Sequence, residues 1–429
     1  MTGAWSRLVG MAGVGCDPSS NRNASRDSAL DVILLGAIVA TVFFLPLSEG
    51  LKNLSYSIAL ACYLGALRRF TRSEWSIPPV GTAFLLFLCV AVLSAATSAF
   101  PWKAFSGVWE MFRYTSFFFI VRQGIRRSAQ VVAVLWAAVA GIGVAATVVL
   151  YQHVTSEVER FSMLSLGGKN GAAEYVVMML ALMIGMFAEH EGSRRARFSL
   201  GIIIGASLIV LGVSNARTMW GGFLAVTILL WCRRRSWVLV AAVGIFLAAV
   251  AGMVLVRPDV SQRTMALARA ETYVDLSERQ EIWQGAIRMW RDHPWLGSGP
   301  RTFKLNDDLA LDVNRLRYGI PERAGQAHNM WLQTAAEMGT IGAIALAIWI
   351  AAVADLLLRG RTRFRGWPLG VVWVGAAGSL LTILIAGVTE PGIGYEHSML
   401  ISGLLGMMVR ADEAAWRSSQ PSSAPGPLS

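Results

Sequence analysis

The residues best suited to chemistry lie in the stretch GQAHNMWLQTAAEMGTIG, positions 325–342. Asn329, Gln333 and Glu337 recur every four residues, so on a helix they share one face, with His328 at its first turn. Polar groups are costly in hydrocarbon, so this face should point toward protein or a water-filled cavity. A helix N-terminus disfavours the protonated imidazole, and a neutral imidazole can accept a proton from a hydroxyl group. The stretch predicts a general base at His328, with an interfacial cap as the alternative. Helix-helix hydrogen bonding is the alternative for the polar face.

Arginines are the candidates for binding an anion. Arg217 lies in a very short connection between apolar runs, where its guanidinium must reach the membrane boundary. Snorkelling from a helix end is the alternative explanation. Arg279 falls in the first turn of a predicted helix, where a cation opposes the helix dipole and a docked anion would remove the conflict. Arg288, like Arg291 and Arg301, suits contacts with solvent or with anionic headgroups, and it is included as a candidate for substrate binding.

Several other chemistries lack their motifs in this sequence. It contains no H-E-x-x-H zinc pair, no G-x-x-x-x-G-K-S/T phosphate loop and no G-x-S-x-G nucleophile elbow. Asp307 and Asp308 are the only adjacent carboxylates in the segment before His328, and a metal site would need a larger cluster. The four cysteines suggest neither a disulfide framework nor a thiolate site. The sequence therefore predicts neither a metal site nor a cofactor.

The composition is that of a polytopic membrane protein. The chain has 429 residues, of which 55% are hydrophobic and 15% charged, and its mean hydropathy is +0.51. The formal charge of +11 does not indicate nucleic-acid binding, because the basic residues separate apolar runs instead of forming one basic face. The predicted fold class is an all-α integral membrane protein.

About twelve runs are long enough to be membrane-spanning helices. They lie at about 30–48, 51–67, 78–98, 105–121, 129–151, 170–189, 198–214, 217–232, 236–256, 328–358, 367–388 and 394–410. The two tails and every second loop hold 21 of the 38 basic residues. By the positive-inside rule both termini are expected in the cytoplasm.

The predicted organisation has five parts. Residues 1–29 form a cytoplasmic tail, 30–256 the first nine spans, 257–327 a periplasmic loop, 328–410 the last three spans, and 411–429 a disordered cytoplasmic tail. The loop is near neutral, with 11 basic and 10 acidic residues. Within it, Ser277-Glu-Arg-Gln280 predicts a helix N-cap, and Pro294 with the following Gly-rich turn predicts the helix end near Asp292. Trp283, Ile287 and Trp290 would form an apolar stripe on this helix.

Three motifs, in this order, resemble the O-antigen ligase and polymerase superfamily. They are Arg279-x-x-x-Trp283, Asp292-His-Pro-Trp-Leu-Gly-Ser-Gly-Pro300 and His328-Asn-x-x-Leu-Gln-x-x-x-Glu-x-Gly-x-x-Gly342. The resemblance covers about 205–345, and the predicted topology also agrees with it. It implies a GT-C type glycosyltransferase of the bacterial inner membrane with a periplasmic active site. Its donor would be a glycan on undecaprenyl diphosphate, and its partners would include the bilayer but no nucleic acid.

The resemblance also implies roles for residues. Arg217, Arg279 and His328 match the outer-face arginines and loop histidine of the family, although Asn215 and Ala216 separate Arg217 from its usual serine neighbour. In a ligase the acceptor is a sugar hydroxyl of the lipid A core, and in a polymerase it is another lipid-linked repeat. The compact outer loop favours the ligase. A flippase or transporter is a further alternative, but it would need charged residues deep in several spans.

Overall fold

The computed structural model describes residues 22–69, 75–155, 164–166, 168–189, 193–233, 237–256, 273–306, 325–390 and 395–419. Every regular element within these ranges is helical. Short 3₁₀ helices lie at Leu67–Arg69 and Leu164–Leu166. The α-helices are α1 Arg22–Phe44, α2 Glu49–Ala66, α3 Pro79–Ala96, α4 Pro101–Gly124, α5 Ser128–Thr155, α6 Lys169–Glu189, α7 Arg194–Val213, α8 Arg217–Arg233, α9 Trp237–Val256, α10 Tyr273–Asp292, α11 Phe303–Asn306, α12 Met330–Arg363, α13 Leu369–Ala386 and α14 Tyr395–Ser419.

Six of the described helices are long and apolar enough to cross a membrane, by length and composition. They are α3, α5, the part Asn170–Glu189 of α6, α7, α12 and α13. Shorter apolar stretches lie at Ala29–Phe44 and Val238–Gly252. These helices support a multi-pass membrane protein. Every predicted apolar run coincides with a helix, while twelve crossings and the orientation of the termini stay predictions.

Local sequence explains where several helices begin. Pro79 and Pro101 stand at the first position of α3 and α4, where a missing N–H costs nothing. The Ser48 hydroxyl accepts the N–H of Leu51 at the start of α2, and Ser193 does the same for Ala196 at the start of α7. The polar ends of the apolar runs are therefore defined by ordinary capping chemistry.

The most enclosed helices are α6 and α13, and they pack against each other. Nearly every residue of α6 from Ala172 to Met186 is buried. Gly378 of α13 faces the Ala181 methyl group so closely that a Cβ at this glycine would overlap it. A buried ion pair joins Lys52 of α2 to Glu396 of α14. These contacts hold α6 against α13 and α2 against α14.

Three boundaries differ from the sequence prediction. The helix in the outer loop begins at Tyr273, so Ser277 lies inside it and is not its N-cap, although the predicted end at Asp292 is confirmed. Helix α14 continues to Ser419, so the tail predicted to be disordered begins as a helix. The first helix begins at Arg22, inside the predicted tail. Predictions for 1–21, 257–272, 307–324 and 420–429, including Asp307 and Asp308, lie outside the described residues.

Helix α12 is interrupted at Gly339. This residue has φ +67° and ψ −169°, a conformation that is essentially restricted to glycine. The segment after α10 enters the break and makes four backbone hydrogen bonds with it. Ser298 and Gly299 donate to the carbonyls of Ala336 and Glu337, at 3.1 and 2.8 Å. Thr340 and Ile341 donate to the carbonyls of Pro294 and Trp295, at 2.8 and 3.3 Å. Gly339 therefore allows the close approach of this backbone segment.

Candidate active site

His328 lies just before α12 and not in its first turn, which corrects the sequence prediction. The helix begins at Met330 with Asn329 as its N-cap, and His328 has a φ of +49°. A non-glycine residue with positive φ is uncommon and indicates a specific local constraint. The His328 side chain is about one-third exposed, at 34%, while its Nδ1 atom is buried. The accessible part of the ring therefore lies away from Nδ1.

Asn329 and Gln333 do not form the predicted open polar face. The Oδ1 of Asn329 accepts the backbone N–H groups of Trp331 and Leu332, both at 3.0 Å. The Oε1 of Gln333 accepts the N–H of Ala327 at 2.6 Å. Both amides are thus used to shape the turn that presents His328. They act on the backbone, so a direct role in substrate binding stays a prediction for each.

Glu337 is buried, and it also holds the backbone of the loop. Its Oε1 accepts the N–H of Phe303 at 3.1 Å, and its carbonyl accepts the Ser94 hydroxyl at 2.8 Å. The polar residues of the opening stretch therefore connect α12 to the segment after α10 and to α3. These hydrogen bonds correspond to the helix-helix hydrogen bonding that the sequence analysis gave as the alternative, except that one of the partners is a loop.

The turn Gly387–Glu390, which follows α13, organises the surroundings of His328. The N–H of Met330 donates to the Gly387 carbonyl at 2.7 Å, and the Asn329 side-chain amide donates to the Val388 carbonyl at 3.3 Å. Glu390 Oε2 lies 3.7 Å from His328 Nδ1. The turn thus places a carboxylate beside the buried nitrogen of the ring.

Glu390 and Asn170 are site residues that the sequence reasoning missed. Glu390 is nearly buried, and its Oε1 accepts the Asn170 side-chain amide at 2.6 Å. Asn170 lies in the first turn of α6, and buried Glu174 follows it by one helical turn. A carboxylate at the end of an apolar run, followed by Pro391 and Gly392, was the available sequence signal.

Arg217 begins α8 and lies next to the same turn. The preceding Ser214 and Asn215 reverse the chain, with Asn215 at φ +53°. The Thr218 hydroxyl lies 3.0 Å from the Thr389 hydroxyl, so the start of α8 contacts the turn that carries Glu390. Arg217 is partly buried. The structure therefore brings Arg217 and His328 to two sides of one turn.

Arg279 and Arg288 both lie on α10, with different exposures. Arg279 is partly buried in the first half of the helix, and Arg288 is exposed near its end. The buried face of α10 consists of Ile282, Ala286 and Met289, which form one cluster with Leu332 and Ala336 of α12. The predicted stripe through Trp283 and Ile287 is only half buried. Helix α10 therefore packs against α12 through Ile282, Ala286 and Met289, and not mainly through the predicted stripe.

These observations define the class of protein: a helical membrane protein with a histidine, a carboxylate and an arginine gathered where several helices end. Residues 200–347 match the family model Wzy_C, O-antigen ligase. This match supports the resemblance of residues 200–347 to the O-antigen ligase and polymerase superfamily. Enzymes of this family are glycosyltransferase-like and act in lipopolysaccharide synthesis.

The matched region includes each candidate residue that the sequence analysis named: Arg217, Arg279, Arg288, His328, Asn329 and Gln333. Glu390 and Asn170 lie outside it. No curated protein matches the chain.

Proposed function

We propose that this protein is an O-antigen ligase of the bacterial inner membrane. It transfers a glycan from undecaprenyl diphosphate to a sugar hydroxyl of the lipid A core at the periplasmic face. The observation that carries the proposal is the turn Gly387–Glu390, which joins the start of α8 to the start of α12. Arg217 and His328, two candidate residues that are distant in sequence, flank this turn. Both residues lie inside the region that matches the ligase family.

The packing of α10 supports a position for Arg279 near the same end of α12. Trp290 of α10 donates its indole N–H to the Thr340 hydroxyl at 3.0 Å. Ile282 and Ala286, which precede Trp290, share a cluster with Leu332 and Ala336, which precede Thr340, so the two helices run in the same direction. Arg279 lies eleven residues before Trp290, and Asn329 lies eleven residues before Thr340. Each step spans about 16 Å of helix, which brings Arg279 to the level of Asn329.

In the proposed reaction an acceptor hydroxyl displaces the diphosphate from the anomeric carbon. His328 takes the hydroxyl proton, while Arg217 and Arg279 bind the diphosphate as negative charge grows on its leaving oxygen. Guanidinium groups suit this task because their paired N–H donors match phosphate oxygens. A single displacement of this kind inverts the anomeric configuration and forms no covalent glycosyl-enzyme.

Glu390 has a positioning role in this mechanism. A carboxylate beside Nδ1 favours the tautomer in which Nδ1 carries the hydrogen, and this leaves Nε2 as the atom that accepts a proton. A change of a few tenths of an ångström would convert the 3.7 Å separation into a hydrogen bond. The imidazolium formed during transfer would then be stabilised by the adjacent charge.

Deletion of the gene tests the proposal in cells. A ligase deletion should give lipopolysaccharide without long chains while the lipid-linked polymer accumulates. A core that carries a single repeat would instead identify a polymerase. A protein with no transferase activity that moves the lipid-linked glycan across the bilayer would be a flippase, which would refute the proposal.

Purified variants test the residues. His328→Ala should abolish transfer, and His293→Ala is the matched control because this histidine is exposed in the turn after α10. Arg279→Ala should lower transfer by about 100-fold or more, and Arg279→Lys should also be impaired because a point charge lacks the paired donors. Arg291→Ala is the control, since Arg291 is exposed at the far end of the same helix. Wild-type activity in His328→Ala would rule out a catalytic base at this position.

The proposed displacement is independent of a metal ion, because two arginines supply the positive charge. Exhaustive chelation should leave transfer unchanged. Loss of activity that only a divalent cation restores would contradict this part of the proposal.

A further inference from the structure

A cavity of about 420 Å³ lies where α4 and α12 meet the segment after α10. It is separate from the turn Gly387–Glu390, none of whose residues line it. Pro300 packs against Gly107 of α4, where a Cβ would lie 2.7 Å from the proline Cβ, and Arg301 forms an ion pair with Glu110. These contacts fix the segment after α10 as one wall of the cavity.

Three cations surround the polar end of this cavity: Lys103 of α4, Arg301, and Lys304 of α11. Arg301 is neutralised in part by Glu110. Lys103 and Lys304 are exposed, and neither forms an ion pair with any residue in the described parts of the chain. Like charges around one opening repel each other, and they raise the local concentration of an anion. The polar end is therefore suited to an anionic group.

The other end of the cavity is apolar. Phe87, Tyr114 and Leu346 also line the cavity, and Tyr114 lies eleven residues after Lys103 on α4, which places these apolar side chains away from the cations. Because the break at Gly339 lies between Gln333 and Leu346, the cavity extends along both parts of α12. A long cavity with cations at one end and apolar side chains at the other fits an amphiphile with an anionic head.

The polar end is also connected to His328 through the backbone. Gln333 accepts the N–H of Ala327, the residue before His328, at 2.6 Å. Gln326, which precedes Ala327, lines the cavity as well. A ligand head that fills this end would therefore touch Gly325 and Gln326, which lie three and two residues before the proposed base.

We propose that this cavity binds the acceptor lipid, with Lys103, Arg301 and Lys304 recognising phosphate groups on its sugar head. The inference rests on the proposed ligase function, because that reaction requires two lipid substrates at once. The donor diphosphate is assigned to Arg217 and Arg279, so a second set of cations is needed for a second anionic head. Lysines suit a head with several phosphates, since a flexible point charge can serve more than one of them.

The test compares the Lys103→Gln/Lys304→Gln double variant with the wild-type full-length protein in lipid nanodiscs. Glutamine removes both charges and keeps most of the side-chain volume. The acceptor probe is lipid A core glycolipid without O-antigen. The KM for this acceptor should rise by about tenfold or more, while kcat and the KM for the lipid-linked donor stay within about twofold. The Arg194→Gln/Arg195→Gln variant removes two exposed charges at the start of α7, a helix that does not line the cavity. It should leave all three constants unchanged.

A second substrate identifies phosphate as the recognised group. With the same glycolipid after enzymatic removal of its phosphates, the wild-type KM should rise at least to that of the lysine variant, and the variant should lose only the part that Arg301 contributes. A raised donor KM with an unchanged acceptor KM would overturn the proposal and assign the cavity to the donor. Unchanged constants for both substrates would overturn it outright.

A binding measurement separates this inference from the reaction. Affinity for the phosphorylated glycolipid is measured in nanodiscs without donor, for the wild type, the lysine variant and His328→Ala. The inference predicts weaker binding, by about tenfold, in the lysine variant alone. If that holds while no preparation transfers glycan, the proposed function fails and the lipid site stands. Equal binding by the wild type and the lysine variant refutes the site whether or not transfer occurs.

Discussion

Gly339→Ala should weaken the packing of Pro294–Gly299 against α12, because alanine conflicts with the break at this position in two ways. A φ of +67° with a ψ of −169° is strained for alanine by about 1 to 3 kcal/mol. The added Cβ would also overlap the carbonyl group of Trp295. This neighbour is backbone, so relief requires the segment Pro294–Gly299 to move.

Movement of that segment would break hydrogen bonds that cross the gap. The four backbone bonds from Ser298, Gly299, Thr340 and Ile341 measure 2.8 to 3.3 Å. Each contributes about 1 kcal/mol, and loss of two of them together with the backbone strain gives about 3 to 5 kcal/mol. The variant should therefore lose this much of its free energy of unfolding.

The assay is unfolding in mixed micelles with increasing SDS, followed by tryptophan fluorescence, together with trypsin cleavage after Arg291 and Arg301. Gly339→Ala should unfold at lower SDS and be cut faster at both arginines. Gly205→Ala is the control, since Gly205 lies inside α7 with open space around it, and alanine there should be neutral or stabilising by up to about 1 kcal/mol. An unchanged unfolding midpoint with unchanged cleavage in Gly339→Ala would refute the role given to the break.

Three further substitutions probe the surroundings of the site. Glu390→Gln should lower kcat by about tenfold or more while KM for both substrates stays within about twofold, because the amide cannot stabilise the charge that His328 gains during transfer; an unchanged kcat would contradict the positioning role. Asn329→Ala should cost about 1 kcal/mol of stability through loss of the N-cap, measured by SDS unfolding, and Asn329→Asp should retain most of it. Lys52→Ala should destabilise by about 3 to 5 kcal/mol by leaving Glu396 buried without its partner, whereas the double variant with Glu396→Ala should recover part of that loss in the same assay.

The apolar helices could be predicted from the sequence because a run long enough to cross a bilayer must satisfy its own backbone as a helix. Each apolar run corresponds to a helix, and Asp292 was correctly predicted as the end of the loop helix from the following proline and glycines. Ser277 failed as an N-cap because a capping motif can also occur inside a helix, where the preceding residues are already helical. Local spacing does not distinguish these two cases.

The arrangement of the site was less predictable. The spacing of Asn329, Gln333 and Glu337 predicted one face of a continuous helix, but the helix begins after Asn329 and is broken at Gly339. Asn329 accepts a backbone N–H of the first helical turn, whereas Gln333 and Glu337 accept those of Ala327 and Phe303, which lie outside the helix. The periodicity of the sequence does not predict these partners. Glu390 is 62 positions from His328 in the sequence, so only the turn after α13 shows that they are neighbours.

The break in α12 has a consequence for the order in which the protein assembles. Without the inserted segment, the carbonyls of Ala336 and Glu337 and the N–H groups of Thr340 and Ile341 would lack the partners that they have in the folded protein. Unsatisfied backbone groups cost several kcal/mol each in a hydrocarbon environment. The first part of α12 is therefore stable only after Pro294–Gly299 has packed into the break. Because this segment precedes α12 in the chain, it is synthesised before the helix that needs it.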